Sequence, residues 1–244
     1  MDPKGKVALV TGGGIRVGRA LALGLARAGA RLVVHYNSSA AEADEVVATI
    51  QRKGGEAVAI GADLSKHSEV ERLAEEALRA FGGIDILVNS ASIFPEEGVG
   101  EVDEELFDRT IAINLKAPFF LTQRIGQAMR ERGEGVIVNL GDLAGLQSWV
   151  GYAAHAVSKA GLIHFTRVAA RALAPEVRVN CIAPGTVLPP DDHPEEEIRK
   201  LAERAPLRRN GSPEDVLQAL LYLVRADFVT GDVVVLDGGR MLRS

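Results

Sequence analysis

The segment "KVALVTGGGIRVGRALALGLARAG", Lys6 to Gly29, joins a short apolar run to a glycine cluster and then to an amphipathic pattern. The apolar run fits a strand buried on both faces, and the residues after Gly18 carry apolar side chains at helical spacing. Glycines at that junction let the backbone turn sharply and approach a bound group closely. The helix that follows points its N-terminal N–H groups at negative charge. The turn therefore reads as a pyrophosphate cradle in which Gly12 and Gly18 matter most; the competing reading is a plain tight βα turn.

The same alternation continues along the chain. "RLVVHY", "EAVAIGADL", "IDILVNSA", "GVIVNLG", "VRVNCIAPG" and "DVVVLDGG" read as further strands, with helical patterns between most of them. This βαβ repetition predicts an α/β fold: a single-domain, doubly wound (Rossmann) parallel seven-stranded sheet with helices on both faces, spanning 1–244. Ligands of such sheets bind beyond the carboxyl ends of the strands. The proline-rich stretch from Pro184 to Glu196 fits no regular element, and with the short helical pattern after it forms an expected substrate lid at about 184–205.

Composition narrows the function classes. The chain has 244 residues, 47% of them hydrophobic and 25% charged, enough for one large core. A net charge of −5 and the lack of a basic run argue against nucleic acid as a partner. No apolar stretch near Met1 is long enough for a signal peptide or a membrane span, and a lone Cys181 cannot form an internal disulfide. A cytoplasmic protein with no membrane partner and no metal is expected.

Six motifs in order carry a family resemblance: Thr11-Gly12 with Gly18, "NSAS" at Asn89–Ser92, Asn114 in "AINLKAPFF", "SK" ending at Lys159, "APG" at Ala183–Gly185, and "VLDGG" near the end of the chain. Together they resemble a short-chain dehydrogenase/reductase over almost the whole sequence. Two departures are most similar to the pteridine-reductase-like branch of that family: Arg16 where glycine is usual, and Asp142 where a serine is expected. "HYNSSAAEA" and Phe94 in "NSASIF" fit the same branch. The resemblance implies Arg16, Ser92, Phe94 and Asp142 as substrate-pocket residues. Taken singly, Arg16 also reads as a solvated loop charge, Phe94 as a core or lid aromatic, and Asp142 as a turn or helix cap.

Charge predicts the cofactor. A site for NAD usually places an acid at the end of the second strand to hold the ribose 2′-hydroxyl, and "VVHYNSS" has none. Arg16, His35, Asn37 and Ser38 are instead expected around a 2′-phosphate, so NADP(H) is the expected cofactor. The resemblance adds Asp63 at the adenine amine, Asn89 at the nicotinamide side, and Val17, Leu64, Ser90, Ala91, Pro184 and Gly185 along the cofactor.

The catalytic helix departs from the family. There a tyrosine donates a proton to the substrate while a lysine one turn later lowers its pKa and holds the nicotinamide ribose, with an asparagine matching Asn114 in the same machinery. Here Lys159 is in place, but the tyrosine position holds His155. Three readings stand: the imidazole donates the proton, Tyr152 supplies the hydroxyl instead, or the site binds the cofactor without efficient chemistry. Asp142 is placed to orient His155 or to donate directly.

The substrate is expected to be a small molecule reduced at C=O or C=N, a pteridine on the branch resemblance. A 3-oxoacyl thioester reductase and a non-catalytic NADPH-binding regulator are the alternatives. Asp191, Asp192, Glu195, Glu196 and Glu197 make the lid acidic, which disfavours an anionic acyl carrier protein. Apolar residues on more than one face of the helices Glu104–Arg130 and His155–Leu173 suggest self-association, and the resemblance implies a homotetramer (or dimer).

Overall fold

The computed structural model describes residues 1–189 and 194–242. Seven parallel strands form one sheet in the order β3-β2-β1-β4-β5-β6-β7. They are β1 (Val7–Val10), β2 (Arg31–Tyr36), β3 (Ala57–Gly61), β4 (Ile86–Asn89), β5 (Gly135–Leu140), β6 (Val177–Pro184) and β7 (Val233–Leu236). Each falls on one of the expected runs. The helices are α1 (Arg16–Arg27), α2 (Ala40–Arg52), α3 (His67–Ala80), α4 (Glu104–Ile111), α5 (Ala117–Arg132), α6 (Ala153–Leu173), α7 (Glu195–Glu203) and α8 (Pro213–Arg225).

Alternation along β1 shows how the sheet is sandwiched. Ala8 and Val10 pack with α1, α2 and α8, while Val7 and Leu9 face α3, α5 and α6. All four side chains are buried, as a strand covered on both faces requires. Each fully buried Leu or Ile contributes about 2 kcal/mol of apolar burial. Strand order reverses between β1 and β4, whose register pairs Val10 with Val88. That reversal opens a crevice at the carboxyl ends of both strands, directly under the glycine turn.

Two elements differ from the sequence expectation. The single long helix expected from Glu104 is α4 and α5 joined by a π-helical turn, Ala112–Lys116, in which the Ala117 N–H reaches back to the Ala112 carbonyl. Pro118 explains the wider turn, since it has no N–H to continue α-helical pairing and stands in the first turn of α5. The turn carries Asn114. Helix α8 was not among the expected helices, yet its start is written locally: Ser212 and Asp215 form a reciprocal capping box, with Pro213 in the first turn.

Of the expected lid, residues 185–189 run from β6 as a loop and α7 follows at Glu195, while Asp191 and Asp192 lie outside the described residues. Among the described residues, no helix is long and apolar enough to cross a membrane. Cys181 is free and buried, and burial pushes its thiol up to about 11.

Candidate active site

The glycine turn is built by close contacts that only glycine allows. Gly12 has φ +64°, and a Cβ there would lie 3.1 Å from the Ala91 backbone. At Gly18 a Cβ would meet the Gly12 carbonyl oxygen at 2.1 Å, so the first turn of α1 packs directly on the loop. Thr11 Oγ1 accepts the N–H groups of Ser90 (2.9 Å) and Ala91 (3.0 Å), which ties the ends of β1 and β4 together. Arg16 adopts φ +48°, the left-handed region that favours the glycine usual here. Its guanidinium donates to the Leu188 carbonyl at 2.7 Å and so links the loop to the segment after β6.

A groove of about 440 Å³ runs over this turn, lined by Gly12, Arg16, Val17, Gly18, Asn37, Ser38, Leu64, Ser90, Ala91 and Ser92 among others. His35 lines the groove too, and it, Asp63 and Asn89, all expected at the cofactor, hold partners within the protein. His35 is 1% exposed; its Nδ1 accepts the Gly12 N–H and its Nε2 donates to the Ala62 carbonyl, both at 3.0 Å. Burial pushes its pKa down to about 4, so a neutral ring supports the loop from below and offers a phosphate neither charge nor a free donor. Asp63 turns its carboxylate to Ser65 and Lys66, in an Asx-type turn. Asn89 is buried behind the cleft, where its amide donates to Asn139 Oδ1 at 2.8 Å and Asn139 donates in turn to Thr166. Arg109 also lines the groove; the sequence reading missed it, because its distance along the chain gave no signal.

A cleft of about 790 Å³ adjoins the groove. It gathers the expected residues Arg16, Val17, Ser90, Ser92, Phe94, Asp142, Tyr152, His155, Lys159, Pro184 and Gly185. His155 and Lys159 stand one turn apart on α6, and both are nearly inaccessible. His155 Nδ1 lies 3.0 Å from the Ile93 carbonyl, to which it donates in the Nδ1–H tautomer, and 3.3 Å from Asn114 Nδ2. Nε2 is then left with no hydrogen-bond partner, 3.9 Å from Asp142 Oδ2. Asn114 braces this arrangement from the π-helical turn: its Oδ1 accepts the Ile93 N–H at 2.9 Å, and its Nδ2 donates to the Ile93 carbonyl at 2.9 Å and to Ser158 Oγ at 3.1 Å.

Asp142 is both a cap and a cleft wall. Its Oδ1 accepts the Ala144 N–H at 2.7 Å, starting a short 3₁₀ turn (Leu143–Gly145), while Oδ2 faces His155. Lys159 donates to the Leu140 carbonyl at 2.8 Å. Burial lowers its pKa, and the charge of Asp142 draws it back up. Tyr152 is a poor acid: burial raises its pKa, as do the charge of Glu96 and a hydrogen bond to it. Its ring stacks on Phe94 at 4.4 Å, and Trp149 meets it edge-on at 5.9 Å. Phe94, half exposed, also abuts the edge of His155 at 4.5 Å, giving the cleft an aromatic wall. Sequence reading did not find Trp149, Glu96, Arg204 or Arg240, whose places in the cleft are set by tertiary packing.

The donor set suits a dinucleotide. The closely packed glycines, the N-terminus of the 12-residue helix α1, and Arg16 with Asn37 and Ser38 fit a pyrophosphate and an adenosine ribose. The end of β2 offers no carboxylate to repel a further phosphate.

Comparison with known proteins shows the family of the chain. A family profile described as Enoyl-(Acyl carrier protein) reductase matches residues 14–240. The chain is 36% identical to an uncharacterized oxidoreductase of Thermotoga maritima, with 98% of both chains covered. It is 42% identical to the hydroxynaphthalene reductase-like protein Arp2 of Metarhizium brunneum, over 96% of this chain and 94% of the relative. Identity to a 3-oxoacyl-(acyl-carrier-protein) reductase of Synechocystis is 35%, over 97% of both. A crystal structure from Sinorhizobium meliloti 1021, assigned as a short-chain alcohol dehydrogenase, superposes with a TM-score of 0.92 at 32% identity, covering 98% of this chain and 97% of that one. The chain belongs to the short-chain dehydrogenase/reductase family and is an NAD(P)-dependent oxidoreductase of that fold.

Proposed function

We propose that the protein is an NADPH-dependent reductase of a small planar C=O or C=N compound, with His155 in place of the family tyrosine. The observation that carries this reading is the unpartnered Nε2 of His155, held in the cleft wall opposite Asp142. NADPH, when bound, supplies the hydride. Protonated His155 gives the proton from Nε2 to the substrate oxygen or nitrogen, and its Nδ1–H stays on the Ile93 carbonyl throughout.

The exchange of tyrosine for histidine changes the charge the site needs. A phenol donor is neutral and is helped by a neighbouring ammonium; an imidazolium donor is itself a cation and is repelled by Lys159. Asp142, where the family expects serine, supplies the opposing charge. Its Oδ2 stands 3.9 Å from Nε2, within reach of a charge interaction. On this reading, His155 and Asp142, two of the three departures from the family pattern, form one compensated pair.

The aromatic wall of Phe94, Tyr152 and Trp149 supports a planar substrate, and the name of the Metarhizium relatives points the same way. A pteridine is one such compound, with Arg16, Ser92, Phe94 and Asp142 as its pocket. The second reading is a 3-oxoacyl thioester, favoured by the names of the Synechocystis and Staphylococcus epidermidis relatives. The three glutamates opening α7 disfavour docking of an acidic carrier protein. The expected lid is tethered to the glycine loop on its first side, where Arg16 donates to the Leu188 carbonyl. Exposed Phe119 and Val168 on α5 and α6 support assembly as a homotetramer or dimer, and the free Cys181 suits the cytoplasm.

Steady-state oxidation of NADPH tests the proposal, with β-tetralone, a dihydropteridine and acetoacetyl thioester as substrates. Turnover of a planar substrate, with NADPH preferred over NADH, is expected. Turnover of the thioester alone selects the second reading. NADPH binding without any turnover identifies a non-catalytic binder.

A further inference from the structure

The cleft holds two guanidinium groups that the chemistry above does not use. Arg204 follows the last residue of α7, and Arg240 opens the short 3₁₀ turn Arg240–Leu242 after β7. Both line the cleft that contains His155 and Lys159. The cleft's other charges are committed: Arg16 to Leu188, Lys159 to Leu140, Glu96 to Tyr152, and Asp142 across from His155. Neither Arg204 nor Arg240 forms a side-chain hydrogen bond or an ion pair with any described residue. Asp237, the nearest acid in sequence to Arg240, spends its two carboxylate oxygens on the N–H groups of Gly239 (2.8 Å) and Met241 (2.7 Å).

Arg240 is partly buried and lies over the Trp149 ring at 4.9 Å. Such stacking covers the face of the guanidinium and leaves its N–H edge free. Burial, and to a lesser degree the charge of Arg204, lower the pKa of Arg240, while the charges of Asp142 and Asp237 draw it part of the way back without an ion-pair contact. A planar fork of donors beside a second cation, above an aromatic surface, matches an oxyanion carried on a flat apolar body.

We propose that Arg204 and Arg240 form an anion subsite, so that the natural substrate is a planar carbonyl or imine compound bearing a carboxylate or similar oxyanion. This rests on the reductase reading of the same cleft and adds the class of its substrate. Trp149 supports the ring system, Arg240 takes the anion edge-on, and Arg204 closes on it from the rim.

The test is a binding measurement that needs no turnover. Calorimetric titration with naphthalene-2-carboxylate, and with the neutral naphthalene-2-carboxamide, is made on the wild type, Arg240→Met and Arg204→Met. The wild type is expected to bind the acid at least tenfold more tightly than the amide. Arg240→Met should abolish that preference and Arg204→Met weaken it, with NADPH affinity unchanged in both; the exposed Arg204 gives a variant that keeps its fold. Equal binding of acid and amide by the wild type overturns the subsite. So does an acid preference that survives both substitutions, or a loss of NADPH affinity without a change in preference, which would assign the pair to the cofactor's phosphates. Acid preference in a protein that turns over neither the test substrates nor a β-tetralone bearing a carboxylate upholds the subsite and removes the reductase reading instead.

Discussion

His35, expected at the cofactor, also builds the glycine loop from within the fold. Its position at the end of β2 suggests a phosphate contact, and the Ala62 carbonyl, just after β3, fixes its tautomer and turns it under Gly12. The consequence is acid sensitivity. Its folded pKa of about 4 lies below the ordinary 6.5, so as pH falls the unfolded chain takes up the proton first. Stability from this residue is complete above about 6.5 and is lost toward 4, by up to about 3 kcal/mol. His35→Gln keeps an acceptor and a donor without titrating. Thermal melts at pH 7.5 and pH 5 should show a larger drop for the wild type than for this variant, and equal drops would contradict the assignment. The spacing of His155 and Lys159 was readable because one helical turn is a local rule. That Nε2 is left without a partner was not, since it depends on Ile93, which lies far away in the chain.

At the scale of elements, the seven strands were legible because strands buried on both faces are continuous apolar runs bounded by turns. Helix boundaries were less so. The π-helical turn that presents Asn114 depends on Pro118 acting inside an otherwise unbroken helical pattern. Helix α8 has a strong local start signal but shows its role only against α1. There, a Cβ on Gly24 would lie 2.3 Å from both methyl carbons of Leu217. Gly24→Ala should therefore cost about 1–3 kcal/mol through overpacking, and Leu217→Ala about 2–5 kcal/mol through a cavity. Combined, the two should destabilise by clearly less than their sum, because the new methyl occupies space the leucine has vacated. Urea unfolding of the four proteins checks this, and simple additivity would show that the helices separate instead of interlocking.

For the whole molecule, the sheet's reversal between β1 and β4 brings the glycine turn, the α6 pair and the segment after β6 to one edge. The family resemblance located that edge before any coordinates. It did not locate the guanidinium pair or Trp149, because the chain joins α7, the C-terminal turn and the loop before α6 only through tertiary packing. What sets this protein apart from the tyrosine pattern of its family is the proposed His155–Asp142 couple on an otherwise ordinary scaffold. The most direct test is kcat/KM for NADPH-dependent reduction by His155→Phe, measured beside its NADPH dissociation constant. Loss of about 100-fold or more in rate, the usual scale for removing a general acid, with cofactor binding unchanged, is the predicted result. A His155→Phe enzyme that works at the wild-type rate, while Tyr152→Phe does not, would contradict the account and return the proton to the phenol.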